Sequence, residues 1–213
     1  MLTLHTYFRS SAAFRVRIAL NLKGLAYESV PIHLLRGGGE QHQQAFKALN
    51  PAELVPVLHD GGRALTQSLS ILEYLEERHP QPSLLPGTPE DRAFIRSLAL
   101  DVACEIHPIN NLRVLQHLAQ AFGVSEEQRR TWVQHWIRVG FEAIEQRLAA
   151  QAGGFCVGGQ PTMADVVLVP QVFNALRFGV ALEDFPAIGR VWAHCMTLPA
   201  FAAAAPGQQP DAE

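Results

Sequence analysis

Cysteine is scarce in this chain. Its 213 residues include three cysteines, which are widely spaced, and no CxxC pair occurs. Neither a metal site nor a disulfide framework is therefore expected. An odd number of cysteines suits a reducing compartment, and we accordingly expect a cytoplasmic protein.

Long apolar runs and excess positive charge are also absent. No apolar stretch approaches the roughly 20 residues that span a bilayer. Residues Met1 to His5 lack the basic and apolar regions of a signal peptide, so we expect no membrane association. The formal net charge of -3 argues against a nucleic-acid partner.

The cations that are present are almost all arginines. Lys23 and Lys47 are the only two lysines among 17 lysine and arginine residues. The planar fork of arginine suits carboxylate ligands better than the point charge of lysine. A GC-rich genome that prefers arginine codons would give the same bias, so composition alone does not define a carboxylate-binding protein.

Strand and helix patterns alternate in the first part of the chain. The predicted elements are a strand at 2–7, a helix at 13–23, a strand at 27–32, a helix at 41–49, strands at 55–59 and 63–66, and a helix at 68–78. A parallel crossover unit followed by a hairpin and a helix is typical of a thioredoxin-like domain.

A proline-rich stretch at residues 81–88 is predicted to be a linker. It separates a thioredoxin-like domain at 1–80 from a second domain at 89–213, in which only helix signals occur. The expected fold class is therefore an α/β N-terminal domain followed by an all-α C-terminal domain.

Helix caps explain some polar residues of the second domain. Thr162 and Asp165 have the spacing of a capping box, so Asp165 is assigned a structural role and not a catalytic one. The tail from Ala202 onward is rich in alanine, proline and glutamine, and we expect it to fray.

Polar residues stand at the start of two predicted helices of the first domain. Ser10 and Ser11 open one helix, and Gln67 and Ser68 open another. Helix N-termini present unpaired N–H groups and a positive dipole end, which suit a carboxylate or a thiolate. Serine is also a favoured N-cap, and on residue type alone capping is the more frequent role. For Ser10 and Ser11 the two roles are compatible.

The chain resembles the zeta class of glutathione transferases over nearly its whole length. The most class-specific matches are the helix that runs from Ser10-Ser11 to Ile18-Ala19-Leu20 and the stretch 169–172 with Arg177-Phe178. Further matching segments are Ala48-Leu49-Asn50-Pro51, Val55-Pro56, Gln67-Ser68, 71–77 and Met163-Ala164-Asp165. One position departs from the class pattern, because Ala12 stands where the class has a cysteine.

The resemblance implies glutathione as the cofactor and a site for it in the first domain. Ser10 and Ser11 would stabilise the glutathione thiolate together with the helix dipole, without help from a cysteine at position 12. A cis Val55–Pro56 bond would present the Val55 backbone to the cysteinyl unit. Gln67 and Ser68 would hold the γ-glutamyl carboxylate, and Gln41 would contact the glycyl end, with His42 a weaker candidate.

A second substrate with two carboxylates is implied by the arginines. Arg9 lies beside the expected thiol site, where it is assigned a catalytic as well as a binding role. The other substrate-binding candidates are His107, Asn111, Arg113 and Arg177. Without the resemblance, residues 107–113 also read as a solvated helix face, and Arg177 as a cation at a helix C-terminus. Arg15 and Arg17 are assigned structural roles.

The favoured function is a glutathione-dependent cis–trans isomerase that converts maleylacetoacetate to its fumaryl isomer. Maleylpyruvate is the alternative diacid. A general conjugating glutathione transferase and a non-catalytic glutathione-binding module also remain open. By analogy with the family, we expect a homodimer.

Overall fold

A four-stranded mixed sheet organises the N-terminal part of the chain in the computed structural model, which describes residues 1–151 and 153–213. The strands are Leu2–Thr6 (β1), Tyr27–Pro31 (β2), Val57–Asp60 (β3) and Arg63–Thr66 (β4), in the spatial order β2-β1-β3-β4. Strand β1 is parallel to β2 and antiparallel to β3, and β3 and β4 form an antiparallel hairpin. The predicted thioredoxin-like topology is confirmed.

Helices account for most of the remaining structure. In chain order they are Ser11–Leu22 (α1), Gln44–Leu49 (α2), Ser68–Arg78 (α3), Pro89–Leu100 (α4), Leu112–Phe122 (α5), Glu126–Leu148 (α6), Met163–Arg177 (α7), Pro186–Met196 (α8) and Pro199–Ala204 (α9). Short 3-10 turns lie at Arg36–Gly38, Glu40–His42 and Pro206–Gln208. The helix predicted at 41–49 begins only at Gln44 in the structure, because Glu40–His42 forms a separate 3-10 turn before it. Among the residues described, no helix combines the length and apolar character needed to cross a membrane.

The chain divides into two compact units. The first contains Met1–Leu84 together with Met196–Glu213, and the second contains Leu85–Cys195. The last 18 residues thus belong with the sheet, whereas the sequence-based boundaries assigned them to the helical domain. An apolar side chain explains this, because Phe201 of α9 is fully buried and α9 packs on α1.

The expectation that the tail frays is wrong. Ala204 and Pro206 of the tail are buried, and a side chain of α1 binds its backbone. The Nε of Arg17 donates to the carbonyl of Ala204 at 3.0 Å, and just before the tail the Nδ2 of Asn21 donates to the carbonyl of Ala200 at 3.0 Å. Hydrogen bonds between such distant parts of the chain leave no local sequence signal.

In the second unit, the helix after the linker changes geometry before the region of Pro108. Helix α4 continues as a π-helical segment at Asp101–Ile106, and α5 begins anew after Asn111. Gly140 of α6 lies against Ile106, where a side chain would collide with the isoleucine. The proline therefore lies in a break between two helices and does not kink a continuous one. As predicted, Asp165 caps α7, accepting the Thr162 N–H at 2.7 Å.

Candidate functional site

The N-terminus of α1 carries the two serines assigned to the thiol. Ser10 is the N-cap, and its Oγ accepts the N–H of Ala13 at 3.2 Å. The capping role is therefore real, but it uses the hydroxyl only as an acceptor, so the hydroxyl hydrogen remains able to donate. Ser11 is the first residue of the helix, and the first turn contains no acidic side chain that would oppose an anion.

Arg9 directly precedes this N-terminus. Its guanidinium lies over the ring of Phe8, with 4.7 Å from Cζ to the ring centroid, and 5.9 Å from the ring centroid of Tyr7. Its Nε is buried, and Arg9 forms no hydrogen bond or ion pair with any residue that the structure describes. Stacking on the aromatic rings thus orients a guanidinium whose hydrogen-bond donors are available to an anion.

The N-terminus of α3 holds the second pair of candidates. Gln67 has the left-handed backbone angles φ 66° and ψ 114° and provides no side-chain cap. Such angles are uncommon for a residue with a side chain and cluster at ligand sites. Ser68 is buried, and its Oγ accepts Nη1 of Arg15 at 3.1 Å. Gln67 is the N-cap and Ser68 is the first helical residue, so the alternative that Ser68 serves as an N-cap is wrong.

Arg15 connects the two helix N-termini. Its side chain, on α1, is only 2% exposed and reaches Ser68 on α3. Because Ser68 accepts a hydrogen bond from this guanidinium, its own O–H is directed to another acceptor. A structural role for Arg15 is predictable from the sequence, but its contact with Ser68 is not, because the pairing depends on how α1 and α3 pack.

Gln41 lies in the 3-10 turn before α2. Its side chain is buried, Nε2 donates to the carbonyl of Leu34 at 3.3 Å, and Oε1 has no partner among the described residues. Gly39 makes room for this amide, because a Cβ at its φ of 105° would lie 2.5 Å from the Gln41 Nε2. His42 Nε2 lies 3.1 Å from the same Gln41 Nε2, and His42 Nδ1 pairs with Glu53, an interaction that lowers the pKa of the Glu53 carboxyl.

Val55 belongs to an apolar cluster that also contains Tyr7, Phe8 and Phe46. The Val55–Pro56 peptide bond is cis, as the resemblance implies. Phe8 immediately precedes Arg9, so the cluster connects the segment around Val55 with the segment around the α1 N-terminus. Tyr7 was not among the sequence-based candidates, yet its hydroxyl is buried and has no partner among the residues described.

The four other substrate candidates lie in the second unit. His107 directly follows the π-helical segment, and Asn111 and Arg113 lie at the start of α5, where Asn111 Oδ1 accepts the Arg113 N–H at 3.2 Å. The Arg113 side chain is exposed. Arg177 is the exposed last residue of α7, with Cζ 4.9 Å from the ring centroid of Phe178. This position also matches the alternative interpretation of Arg177 as a cation at a helix end.

Comparison with known proteins identifies the family. The model of the glutathione S-transferase N-terminal domain matches residues 4–83, and the model of the glutathione S-transferase C-terminal domain matches residues 126–195. The chain therefore belongs to the glutathione transferase family.

Individual relatives narrow the class. A probable maleylacetoacetate isomerase of Vibrio cholerae is 52% identical, over 99% of this chain and 98% of that protein. A solved structure of maleylpyruvate isomerase, described as a bacterial glutathione transferase of the zeta class, has a TM-score of 0.96 and 47% identity, covering 99% of this chain and 100% of that one. Within its family, this chain is of the zeta class.

A further solved structure was obtained with ligands. It is a maleylacetoacetate isomerase from Methylobacterium extorquens AM1 with bound malonate and glutathione, and it has a TM-score of 0.94 and 41% identity over 99% of both chains. The residues of the present chain suit the same tripeptide. Two helix N-termini, the oriented Ser68 hydroxyl and the buried Gln41 amide with a spare acceptor together match a small peptide that carries carboxylates.

Proposed function

We propose that this chain is a glutathione-dependent cis–trans isomerase of a maleyl diacid, with maleylacetoacetate as the favoured substrate. The proposal rests on the guanidinium of Arg9. It lies immediately before the N-terminus of α1, and its hydrogen-bond donors are available to a ligand. A cation beside the thiol suits an anionic substrate, whereas conjugation of an apolar electrophile has no need of one. The relatives named as maleylacetoacetate and maleylpyruvate isomerases support the same reaction class.

Glutathione is held, in this proposal, by the N-termini of α1 and α3. Ser68 donates its hydroxyl hydrogen to the γ-glutamyl carboxylate because Arg15 occupies its acceptor side. Gln67 contributes from the adjacent N-cap position, Val55 supplies backbone groups, and Gln41 meets the glycyl end. When bound, glutathione supplies a thiolate that adds reversibly to the maleyl double bond and so allows that bond to rotate.

The residues at the start of α1 increase the ionised fraction of the thiol. A free cysteine-type thiol has a pKa near ~8.5, so it is mostly protonated at neutral pH. Interaction with a helix N-terminus contributes about 0.3–1 kcal/mol when exposed and up to ~2 kcal/mol when partly buried. Such energies lower the pKa of a thiol by about one unit. Ser10 and Ser11 add hydroxyl donors, and Ala12 adds none.

In this proposal, guanidinium groups bind the carboxylates of the diacid. Arg9 binds one carboxylate next to the thiolate and opposes the negative charge that develops on the substrate. Arg177, Arg113, His107 and Asn111 of the second unit stay proposed substrate-binding residues. The malonate bound in the Methylobacterium extorquens relative is itself a dicarboxylate, which supports a diacid as the substrate class.

Maleylpyruvate is the second candidate substrate. A maleylpyruvate isomerase of Ralstonia sp is 48% identical over 98% of this chain and 98% of that protein. Maleylpyruvate carries the same enone between two carboxylates, so the chemistry at Arg9 and Ser10 is unchanged. We also expect a homodimer, which light scattering would reveal as twice the chain mass of 23.4 kDa.

Steady-state kinetics with both maleyl diacids test the proposal. We expect isomerisation that requires glutathione and a higher kcat/KM for maleylacetoacetate. A higher value for maleylpyruvate would support the second candidate instead. Retention on glutathione-agarose without turnover of either diacid would indicate a binding module, and greater activity on chloro-nitrobenzene would indicate a general transferase.

A further inference from the structure

The last residues of the chain reach the start of the candidate site. We call residues 206–213 the C-terminal strap. Its Asp211 accepts the backbone N–H of Phe8 through Oδ2 at 2.9 Å, although the two residues are 203 positions apart. Its Glu213 pairs with the exposed Arg36 at 2.7 Å. Pro206 is buried, so the strap is anchored at its beginning as well as at its end.

The backbone that Asp211 holds is bound from the opposite side by Arg17. Nη2 of Arg17 donates to the carbonyl of Phe8 at 3.0 Å, and Nη1 donates to the carbonyl of Tyr7 at 3.3 Å. The Tyr7 carbonyl also accepts the N–H of Ser10 at 3.0 Å. The peptide between Tyr7 and Phe8 is therefore fixed at both ends, by Arg17 and Ser10 at its carbonyl and by Asp211 at its N–H.

Arg17 and Asp211 form a clamp of opposite charges around this backbone. Burial lowers the pKa of Arg17 to about 10, so the guanidinium is still protonated at neutral pH. Asp211 favours the charged form of Arg17. The Phe8 side chain is buried, so its N–H would have no ready access to water if Asp211 were removed.

Two functional groups depend on the geometry of this peptide. The guanidinium of Arg9 stacks on the Phe8 ring, and the N–H of Ser10 is bonded to the Tyr7 carbonyl. A rotation of the Tyr7–Phe8 peptide would therefore move the cation and the N-cap together. Displacements of about 1 Å in a reacting geometry can reduce catalysis by about 100-fold.

We propose that Asp211 is a positioning residue for the segment Arg9–Ser11, so that the C-terminal strap is part of the active-site framework. Asp211 acts by accepting the Phe8 N–H and touches neither glutathione nor the diacid. The effect on catalysis rests on the proposed function, whereas the effect on the backbone does not.

Four full-length variants test the assignment. Asp211→Ala removes the acceptor, Asp211→Asn keeps an acceptor oxygen at the same distance without the charge, and Asp211→Glu keeps the charge but moves the oxygens by one methylene. Glu213→Gln is the matched control in the same strap, because it alters the ion pairs of Glu213 with Arg36 and His33 and leaves Asp211 unchanged. The readouts are hydrogen–deuterium exchange of the peptide containing Phe8–Ser11 without glutathione, and kcat and KM for a maleyl diacid at saturating glutathione.

We expect Asp211→Ala to increase exchange in this peptide and to lower kcat/KM by about 10- to 100-fold. Asp211→Asn and Glu213→Gln should stay within about twofold of the unaltered protein, and Asp211→Glu should lose more activity than Asp211→Asn.

Unchanged exchange and kinetics in Asp211→Ala would overturn the proposal. So would an Asp211→Asn variant more impaired than Asp211→Glu, a comparison that decides the matter even if Asp211→Ala does not fold. If the unaltered protein isomerises neither diacid, the proposed function fails, and the exchange data alone test the role of Asp211.

Discussion

Replacing Ser68 by alanine should weaken glutathione binding and destabilise the first unit at the same time. The buried Oγ of Ser68 accepts Nη1 of Arg15 at 3.1 Å, and its hydroxyl hydrogen points elsewhere. The substitution removes an acceptor from a guanidinium that is 2% exposed. It also removes the donor that we assign to the γ-glutamyl carboxylate. The substitution thus removes one hydroxyl group that has two functions.

The expected magnitudes follow from these two hydrogen bonds. A hydrogen bond to a charged group contributes about 1.5–3 kcal/mol. The free energy of unfolding should therefore fall by about that amount without glutathione, because Arg15 loses one acceptor in a buried place. The Kd for glutathione should rise by roughly 10- to 150-fold, because the carboxylate loses one charge-assisted donor.

Ser70→Ala is the matched control, since Ser70 lies in the same turn of α3 and is exposed. Its free energy of unfolding and its free energy of glutathione binding should stay within about 0.5 kcal/mol of those of the unaltered protein. Isothermal titration calorimetry and denaturant unfolding measure the two quantities. If Ser68→Ala bound glutathione as tightly as Ser70→Ala, the role of Ser68 at the γ-glutamyl end would be refuted.

Three further predictions concern other parts of the structure. Arg177→Ala should lower kcat/KM for the diacid by about 10- to 100-fold while glutathione affinity changes little, because the lost contact is with the second substrate. Gly39→Ala should weaken glutathione binding several-fold, since its Cβ would displace the Gln41 amide. Lowering the pH below the ordinary His pKa of 6.5 should destabilise the first unit, because burial and the neighbouring His59 lower the pKa of His5. The unfolded state then binds the proton more readily, and stability is lost as the pH falls from 6.5 toward the lower folded pKa.

Each of these predictions has a control. Arg138→Ala removes an arginine that pairs with Asp184 on the surface and should leave kcat/KM unaltered. Gly38 has a φ of 85° and open space around its Cβ position, so Gly38→Ala shares the backbone strain without the collision. Equal effects of the two glycine variants on glutathione affinity would contradict the argument about Gln41. Thermal unfolding of His5→Gln should depend less on pH between about 5.5 and 7.5 than that of the unaltered protein, a window of about one unit on either side of the ordinary His pKa.

Features governed by local chemistry were predictable from the sequence. The hairpin strand at Arg63–Thr66 and the helix at Ser68–Arg78 were predicted with the bounds that the structure has, because a glycine turn and a regular apolar pattern define them. The serine at the start of α1 was predicted both as a cap and as a ligand residue. The structure confirms that Ser10 is a cap, and its role as a ligand residue stays a prediction.

Features that depend on distant parts of the chain were not predictable. The contact of Arg15 with Ser68 spans 53 positions, and that of Phe8 with Asp211 spans 203. Composition predicted that the tail from Ala202 frays, although Ala204 and Pro206 are buried and Arg17 binds the carbonyl of Ala204. The π-helical segment before His107 lies against α6 at Gly140, a contact between distant parts of the chain, and no local pattern predicts it.

The pKa of glutathione bound to the protein decides whether the start of α1 activates the thiol. Titration of the thiolate absorbance in the ultraviolet gives the pKa of the glutathione thiol in the complex. We expect a value about one unit below the ~8.5 of a free cysteine-type thiol, and only a partial return toward ~8.5 when Ser10 and Ser11 are both replaced by alanine, because the helix N-terminus remains. A bound thiol that titrates like the free one in the unaltered protein would contradict this expectation.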